Sequence, residues 1–272
     1  MLRTAGLTKE FGGLRAVDDV DFALDVDELC SLIGPNGAGK TTFFNLLTGV
    51  LTPTAGTVEV REDGQWRDVT DATPYETASL GLHRSYQITN VFPTSTVLEN
   101  VRVAAQAASS DPVKLWRNAE AFEEHREEAY AILDRVGLAT KAHAVAENLS
   151  HGEKRQLEVA IALAGDPDVL LLDEPNAGVS SESVDQIIDL IEDVATDHAV
   201  LLVEHNMDIV MNVSDRIVVL NQGAVIADGT PEEVRGDPAV QEAYLGGYEP
   251  GKISRERNAE SDAPTDSEEG TA

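Results

Sequence analysis

One cysteine, Cys30, stands among 272 residues. A disulfide framework and a cysteine-based zinc site are therefore excluded. No apolar run approaches the roughly 18 residues that a membrane-spanning helix needs. The first residues lack the basic-then-apolar pattern of a secretory signal. Bases are scarce: 20 Lys and Arg, six of them lysine, face 49 acids, for a net charge of −29. A surface so negative repels nucleic acid, so a free DNA or RNA binder is not expected.

The acids are spread over the whole chain rather than gathered in one patch. An ordinary solvated surface is one reading. The favoured one is adaptation to a cytosol of very high salt, where repulsion is screened within about 3 Å at 1 M. The low lysine content and the pI near 4.3 resemble those of halophilic archaeal proteins. This says nothing about activity. With 42% hydrophobic residues, the chain can bury a substantial core, as one α/β domain of two lobes or as two small domains.

The stretch Gly34-Pro35-Asn36-Gly37-Ala38-Gly39-Lys40-Thr41-Thr42 fits the phosphate-loop pattern G-x-x-x-x-G-K-[ST] at every fixed position. The apolar Leu29-Cys30-Ser31-Leu32-Ile33 before it predicts a buried strand, and 42–47 predicts a helix start. Strand, Gly-rich turn and helix let backbone N–H groups curl around phosphate oxygens at the positive end of the helix. Lys40 would reach the β- and γ-phosphates, and the Thr41 hydroxyl would hold Mg²⁺.

Alternation of apolar and polar residues predicts two or three half-exposed strands over 2–28. Phe11, before Gly12 and Gly13, is placed on a loop, where it can stack on a purine ring or serve as an ordinary core aromatic. Strand character continues at 57–60 and helix character over 75–82. Gln87 ends a further strand. From 96 to 164 the pattern is helical, with Thr96 and Glu99 as a capping box and Gly137 closing a charged amphipathic stretch. Ser150 begins another capped helix, which runs to about Ala164 and offers a second anion-binding end.

Val169-Leu170-Leu171-Leu172 predicts a buried strand with Asp173 and Glu174 at its C-terminal end, where ligands gather in open parallel sheets. Asp173 would anchor a Mg²⁺ shell, and Glu174 would orient or deprotonate an attacking water. A second buried strand, 200–203, ends at Glu204 and His205. His205 can contact a γ-phosphate or be structural. A hairpin follows over 217–229, then a helix opened by Thr230-Pro231 and a short helix over 240–246. Residues 248–272 read as an acidic disordered tail.

Together these motifs resemble the ATP-binding subunits of ABC transporters over residues 2–246. Leu149-Ser150-His151-Gly152-Glu153 resembles the family signature. Gln87, Phe11 and His205 resemble its glutamine loop, aromatic loop and switch histidine. The resemblance implies a phosphate-loop NTPase core, about 1–87 and 165–247, with an antiparallel β-subdomain and a helical subdomain at about 88–164. It implies two ATPase subunits, identical or different, facing head to tail with two ATPs between them. Lys40, the loop from Gly34 to Thr42, Phe11 and Gln87 would hold this subunit's own ATP. Ser150 and Gly152 would hold the partner's γ-phosphate. Thr41, Gln87 and Asp173 would hold Mg²⁺. Glu174 would activate water and His205 would hold the γ-phosphate. The helical subdomain would dock two membrane permeases at the cytoplasmic face of the membrane, served by an external solute-binding protein.

His151 stands where glycine is commonest in the signature, Glu153 where glutamine is, and Val179-Ser180 where a Leu-Asp or Leu-Asn pair is usual. Within the family, Phe11-Gly12-Gly13-Leu14-Arg15-Ala16-Val17, Phe44-Asn45-Leu46-Leu47-Thr48-Gly49 and Ala243-Tyr244-Leu245-Gly246 resemble the ATPases of branched-chain amino-acid importers. Importers of urea and short amides share almost all these features. A soluble ABC ATPase without a transport role and a module that binds ATP without hydrolysing it are further alternatives. The first is opposed by the single cassette and the negative charge, the second by Lys40 and Glu174.

Overall fold

The computed structural model describes residues 1–85, 91–108, 119–179 and 181–243, with the side chains of 119–122 and 181–183 left aside. Gln87, Ser180, residues 244–246 and the tail fall outside the described residues. Ten strands within these bounds form two sheets.

The first sheet is antiparallel, in the order β2-β1-β4-β5. It holds β1 (Leu2–Phe11), β2 (Leu14–Leu24), β4 (Ala55–Glu62) and β5 (Gln65–Asp68). The 2–28 stretch thus makes two strands. Phe11 is not on a loop: it is the last residue of β1, paired with Leu14 across the turn at Gly12 and Gly13.

The second sheet runs β10-β9-β3-β8-β7-β6. It contains β3 (Leu29–Ile33), β6 (Leu82–Ser85), β7 (Val169–Asp173), β8 (Ala199–Val203), β9 (Arg216–Asn221) and β10 (Ala224–Gly229). β9, β3, β8, β7 and β6 pair in parallel, and only β10 is antiparallel. β3, β7 and β8 are buried throughout, as unbroken apolar runs in a covered parallel sheet require.

Alternate residues of these strands face two apolar clusters. Leu171, Leu201 and Leu32 join Leu2 and Val20 of the antiparallel sheet and Phe43 and Phe44 of α1 (Lys40–Leu47). Phe22 meets Phe43 edge to face at 5.6 Å between ring centroids. Leu170, Leu172, Val200 and Leu202 face the other way. There they meet α3 (Val97–Ala108), α4 (Ala119–Arg135), α5 (His151–Leu163) and α6 (Ser181–Ala195). One cluster holds Val101, Leu133, Leu157 and Leu172, so these helices share a core with the sheet.

The short helices α2 (Pro74–Ser79), α7 (Met207–Val213), α8 (Pro231–Gly236) and α9 (Pro238–Ala243) complete the described fold. Thr230 and Glu233 close a capping box on α8 with Pro231 at its first position, as the sequence predicts. The box predicted at Thr96 is half made. Thr96 Oγ1 accepts from the Glu99 N–H at 3.1 Å, whereas the Glu99 carboxylate turns to Arg102.

Candidate functional site

The phosphate loop leaves the C-terminal end of β3 and enters α1 at Lys40. Two glycines make its path possible. Gly34 (φ 152°) passes so close to β9 that a Cβ would lie 2.1 Å from the Leu220 carbonyl oxygen. Gly39 (φ 107°) would place a Cβ 2.2 Å from the Ala16 carbonyl oxygen on β2. The Gly223 N–H donates to the Ala38 carbonyl at 2.9 Å, which ties the β9–β10 turn to the same loop. Asn36, Gly37 and Thr41 are exposed, and Pro35 and Thr42 are half-buried.

Lys40 is buried, and its ammonium donates to the carbonyls of Gly34 at 2.6 Å and Pro35 at 3.2 Å. Burial holds its pKa below the ordinary lysine value, and the negative charges of Glu174 and Asp173 partly offset that shift. A cation inside a curl of backbone is arranged to meet a phosphate.

Parallel pairing brings three strand ends to one edge. Asp173 of β7 lies opposite Val203 of β8, and the Glu174 N–H donates to the Val203 carbonyl at 2.9 Å. The residues just beyond both strands therefore converge. Glu174 takes a positive φ of 49°. Its Oε1 lies 2.6 Å from His205 Nε2. Asp173 is buried and paired with Arg84 of β6, Nη2 to Oδ2 at 2.6 Å, while Arg84 Nη1 also donates to Asn45 Oδ1 at 2.7 Å.

Sequence reasoning assigned no role to Arg84, Arg155, Asn176 or Glu204. Glu204 is buried, and its Oε1 accepts from the N–H of Asn176 at 3.0 Å and from its side-chain amide at 3.1 Å. It thereby ties the segment after Glu174 to the segment carrying His205. A buried carboxylate at a strand end was the available signal, since such a group needs partners.

Ser150 caps α5 in a complete box. The Glu153 N–H donates to Ser150 Oγ at 3.3 Å, and the Ser150 N–H donates to the Glu153 carboxylate at 2.9 Å. The Ser150 N–H, more than the nearby Lys141, holds the Glu153 carboxyl below its usual range. Gly152 is buried in the first turn. Phe11 is exposed at the tip of the β1–β2 hairpin, with Lys9 Nζ 5.3 Å from its ring centroid. The same hairpin touches the phosphate loop at Ala16.

Hydroxyl and carboxylate oxygens, from Thr41 and Asp173, are the hard donors that Mg²⁺ takes, with phosphate oxygens and water filling its shell. No group of three or more His, Cys, Asp or Glu that could hold a metal by itself occurs among the described residues. The oxygen donors that Thr41 and Asp173 offer are of the kind that fits Mg²⁺.

The family model described as ABC transporter matches residues 17–177, and that described as branched-chain amino acid ATP-binding cassette transporter matches 224–250. The chain is 41% identical over 253 residues to the high-affinity branched-chain amino acid transport ATP-binding protein LivG of Salmonella typhimurium, covering 90% of this chain and 98% of the relative. A probable branched-chain amino acid transport ATP-binding protein of Archaeoglobus fulgidus is 35% identical over 251 residues, covering 90% and 95%. Among solved structures, the ADP conformation of an ATP-binding cassette of an ABC transporter superposes with a TM-score of 0.79 at 32% identity, covering 90% of this chain and 98% of that one. A dimeric cassette in a post-hydrolysis state with ADP and Pi superposes with a TM-score of 0.69 at 25% identity, covering 85% and 99%.

Proposed function

The chain belongs to the ABC transporter family as an ATP-binding subunit, and from that membership we propose that it powers the uptake of branched-chain amino acids. The match of residues 224–250 to the branched-chain cassette model carries the choice of solute. Relatives named for that transport, at about 40% identity over nearly their whole length, support it.

In this reading the loop N–H groups and the Lys40 ammonium hold the β- and γ-phosphates of ATP, and Phe11 stacks on its base. Mg²⁺, held by Thr41, Asp173 and Gln87, would neutralise developing charge on the phosphate oxygens. Glu174 orients the attacking water and takes its proton, a contribution of about 10²–10⁴ in rate. His205 holds the γ-phosphate and, through Nε2, the Glu174 carboxylate. Ser150 and Gly152 serve the ATP of a second ATPase subunit, identical or different. The helices between 88 and 164 dock two permeases, which an external solute-binding protein supplies. The subunit then sits at the cytoplasmic face of the membrane without crossing it. No described helix is long and apolar enough to cross a membrane.

Uptake of labelled leucine tests the proposal, with isoleucine, valine and urea as unlabelled competitors. Cells whose only copy carries Glu174→Gln are expected to lose leucine uptake, and isoleucine and valine to compete in wild type. Unchanged leucine uptake, or competition by urea alone, would move the solute to the urea and short-amide class.

A further inference from the structure

Arg155 lies in the second turn of α5, one turn beyond Gly152. Its side chain is 8% exposed, and that of Glu158, its counter-ion, 7%. The guanidinium donates to three successive backbone carbonyls: Asp173 at 2.6 Å, Glu174 at 2.5 Å and Pro175 at 3.1 Å. Nη1 turns to the Glu158 carboxylate. One side chain of the helix that presents Ser150 and Gly152 thus grips the peptide units on both sides of Glu174.

That grip has a consequence for aim. Glu174 holds a positive φ of 49°, a conformation that L residues adopt only when their surroundings impose it. Its N–H is fixed by Val203 and its carbonyl by Arg155. Backbone so held sends the carboxylate toward His205 at 2.6 Å. Lysine cannot replace the clamp. Its three donors radiate from one nitrogen, whereas the guanidinium spreads five over a rigid plane.

We propose that Arg155 is a positioning residue for hydrolysis: from the signature helix it fixes the backbone that aims Glu174. The proposal rests on the assignment of Glu174 as the base. It makes the aim of this subunit's carboxylate depend on where α5 sits, and α5 is the helix offered to the partner's ATP.

The test compares Arg155→Lys in the wild-type and Glu174→Gln backgrounds, in the complex isolated through a tag on the full-length chain. Lysine keeps a charge beside Glu158, so the buried carboxylate is not abandoned. In the wild-type background kcat is expected to fall about 10–100-fold, the scale of a misaimed group, with KM for ATP unchanged. In Glu174→Gln, where no base remains to be aimed, the residual single-turnover rate should change less than about twofold, because residues that act as a unit are non-additive. The same fractional loss in both backgrounds, or wild-type kcat in Arg155→Lys, would overturn the proposal. Should Arg155→Lys not fold, Arg155→Gln with Glu158→Gln, which removes both charges together, enters the same comparison. Wild-type turnover in Glu174→Gln alone would instead remove the assignment of the base, and this proposal with it.

Discussion

Glu174 Oε1 and His205 Nε2 lie 2.6 Å apart, from residues 31 positions apart in the chain. The pairing follows from sheet order. β7 and β8 are neighbours in parallel register with Asp173 opposite Val203, so Glu174, the first residue past β7, comes beside His205, the second past β8. Glu204 reinforces the contact by bonding Asn176, two residues beyond Glu174.

Glu174→Gln keeps the shape of the contact with His205 and removes the base. ATP hydrolysis should fall by about 10²–10⁴ while ATP binding is retained. An ATP-bound dimer should then accumulate, visible by gel filtration. Phosphate release at the wild-type rate would contradict the role given to Glu174.

Lys40→Ala removes a buried ammonium whose two hydrogen bonds reach loop carbonyls. A hydrogen bond to a charged group is worth about 1.5–3 kcal/mol, so ATP affinity should fall roughly 10- to 150-fold or more. Titration with a fluorescent ATP analogue measures this directly, and undiminished affinity would remove the phosphate-loop assignment.

The parts of the site legible in the chain were those whose meaning is local. Gly34 to Thr42 carries its conformation in consecutive residues, and β3, β7 and β8 are buried runs that read as such. The caps at Ser150 and Thr230 are complete within four residues. The partners of Asp173 and Glu204 were not legible, because Arg84 lies 89 positions from Asp173 and Asn176 lies 28 from Glu204. Such pairs exist only once the strand order is known. Phe11 was misplaced for a nearer reason: Gly12 and Gly13 announce a turn, but pairing with Leu14 keeps the residue before them in the strand.

Gly39→Ala tests the turn into α1. The new Cβ would meet the Ala16 carbonyl oxygen at 2.2 Å, backbone against backbone, and φ 107° is itself unfavourable for alanine. Backbone strain of this kind costs about 1–3 kcal/mol before the clash is counted. Each kcal/mol lowers Tm by about 2–4 °C in a domain of this size. A thermal scan with unchanged Tm would show that the loop can relax away from β2.

His83 gives the fold a pH dependence on the acid side. Burial pushes its pKa below the ordinary 6.5, while its hydrogen bond to the Ala78 carbonyl resists the shift. Between the folded value and 6.5 the unfolded chain binds a proton that the folded chain does not. Stability therefore rises with pH in that window, is complete above it, and is lost as pH falls through it. His83→Gln, which retains a donor for Ala78, should unfold with a flatter dependence than wild type as pH falls below 6.5. Parallel curves for the two chains would show that His83 contributes nothing to the slope.

Arg84 and Asp173 form an ion pair with both side chains under one-tenth exposed, at 6% and 8%. Removing one member of such a pair leaves the other charged in a poorly solvated place, at a cost of about 3–5 kcal/mol. Arg84→Met should destabilise the nucleotide-free chain by that amount in urea unfolding. Adding Asp173→Asn should recover part of it, since the abandoned charge goes with it. If Asp173 also holds Mg²⁺, a second cation is available to the single variant. Mg²⁺ with ATP should then raise the stability of Arg84→Met by more than it raises that of wild type, because the carboxylate there has lost its guanidinium and gains most from the ion. Equal stabilisation of the two chains would mean that Asp173 stays outside the cation's reach and that its place beside Arg84 is structural alone.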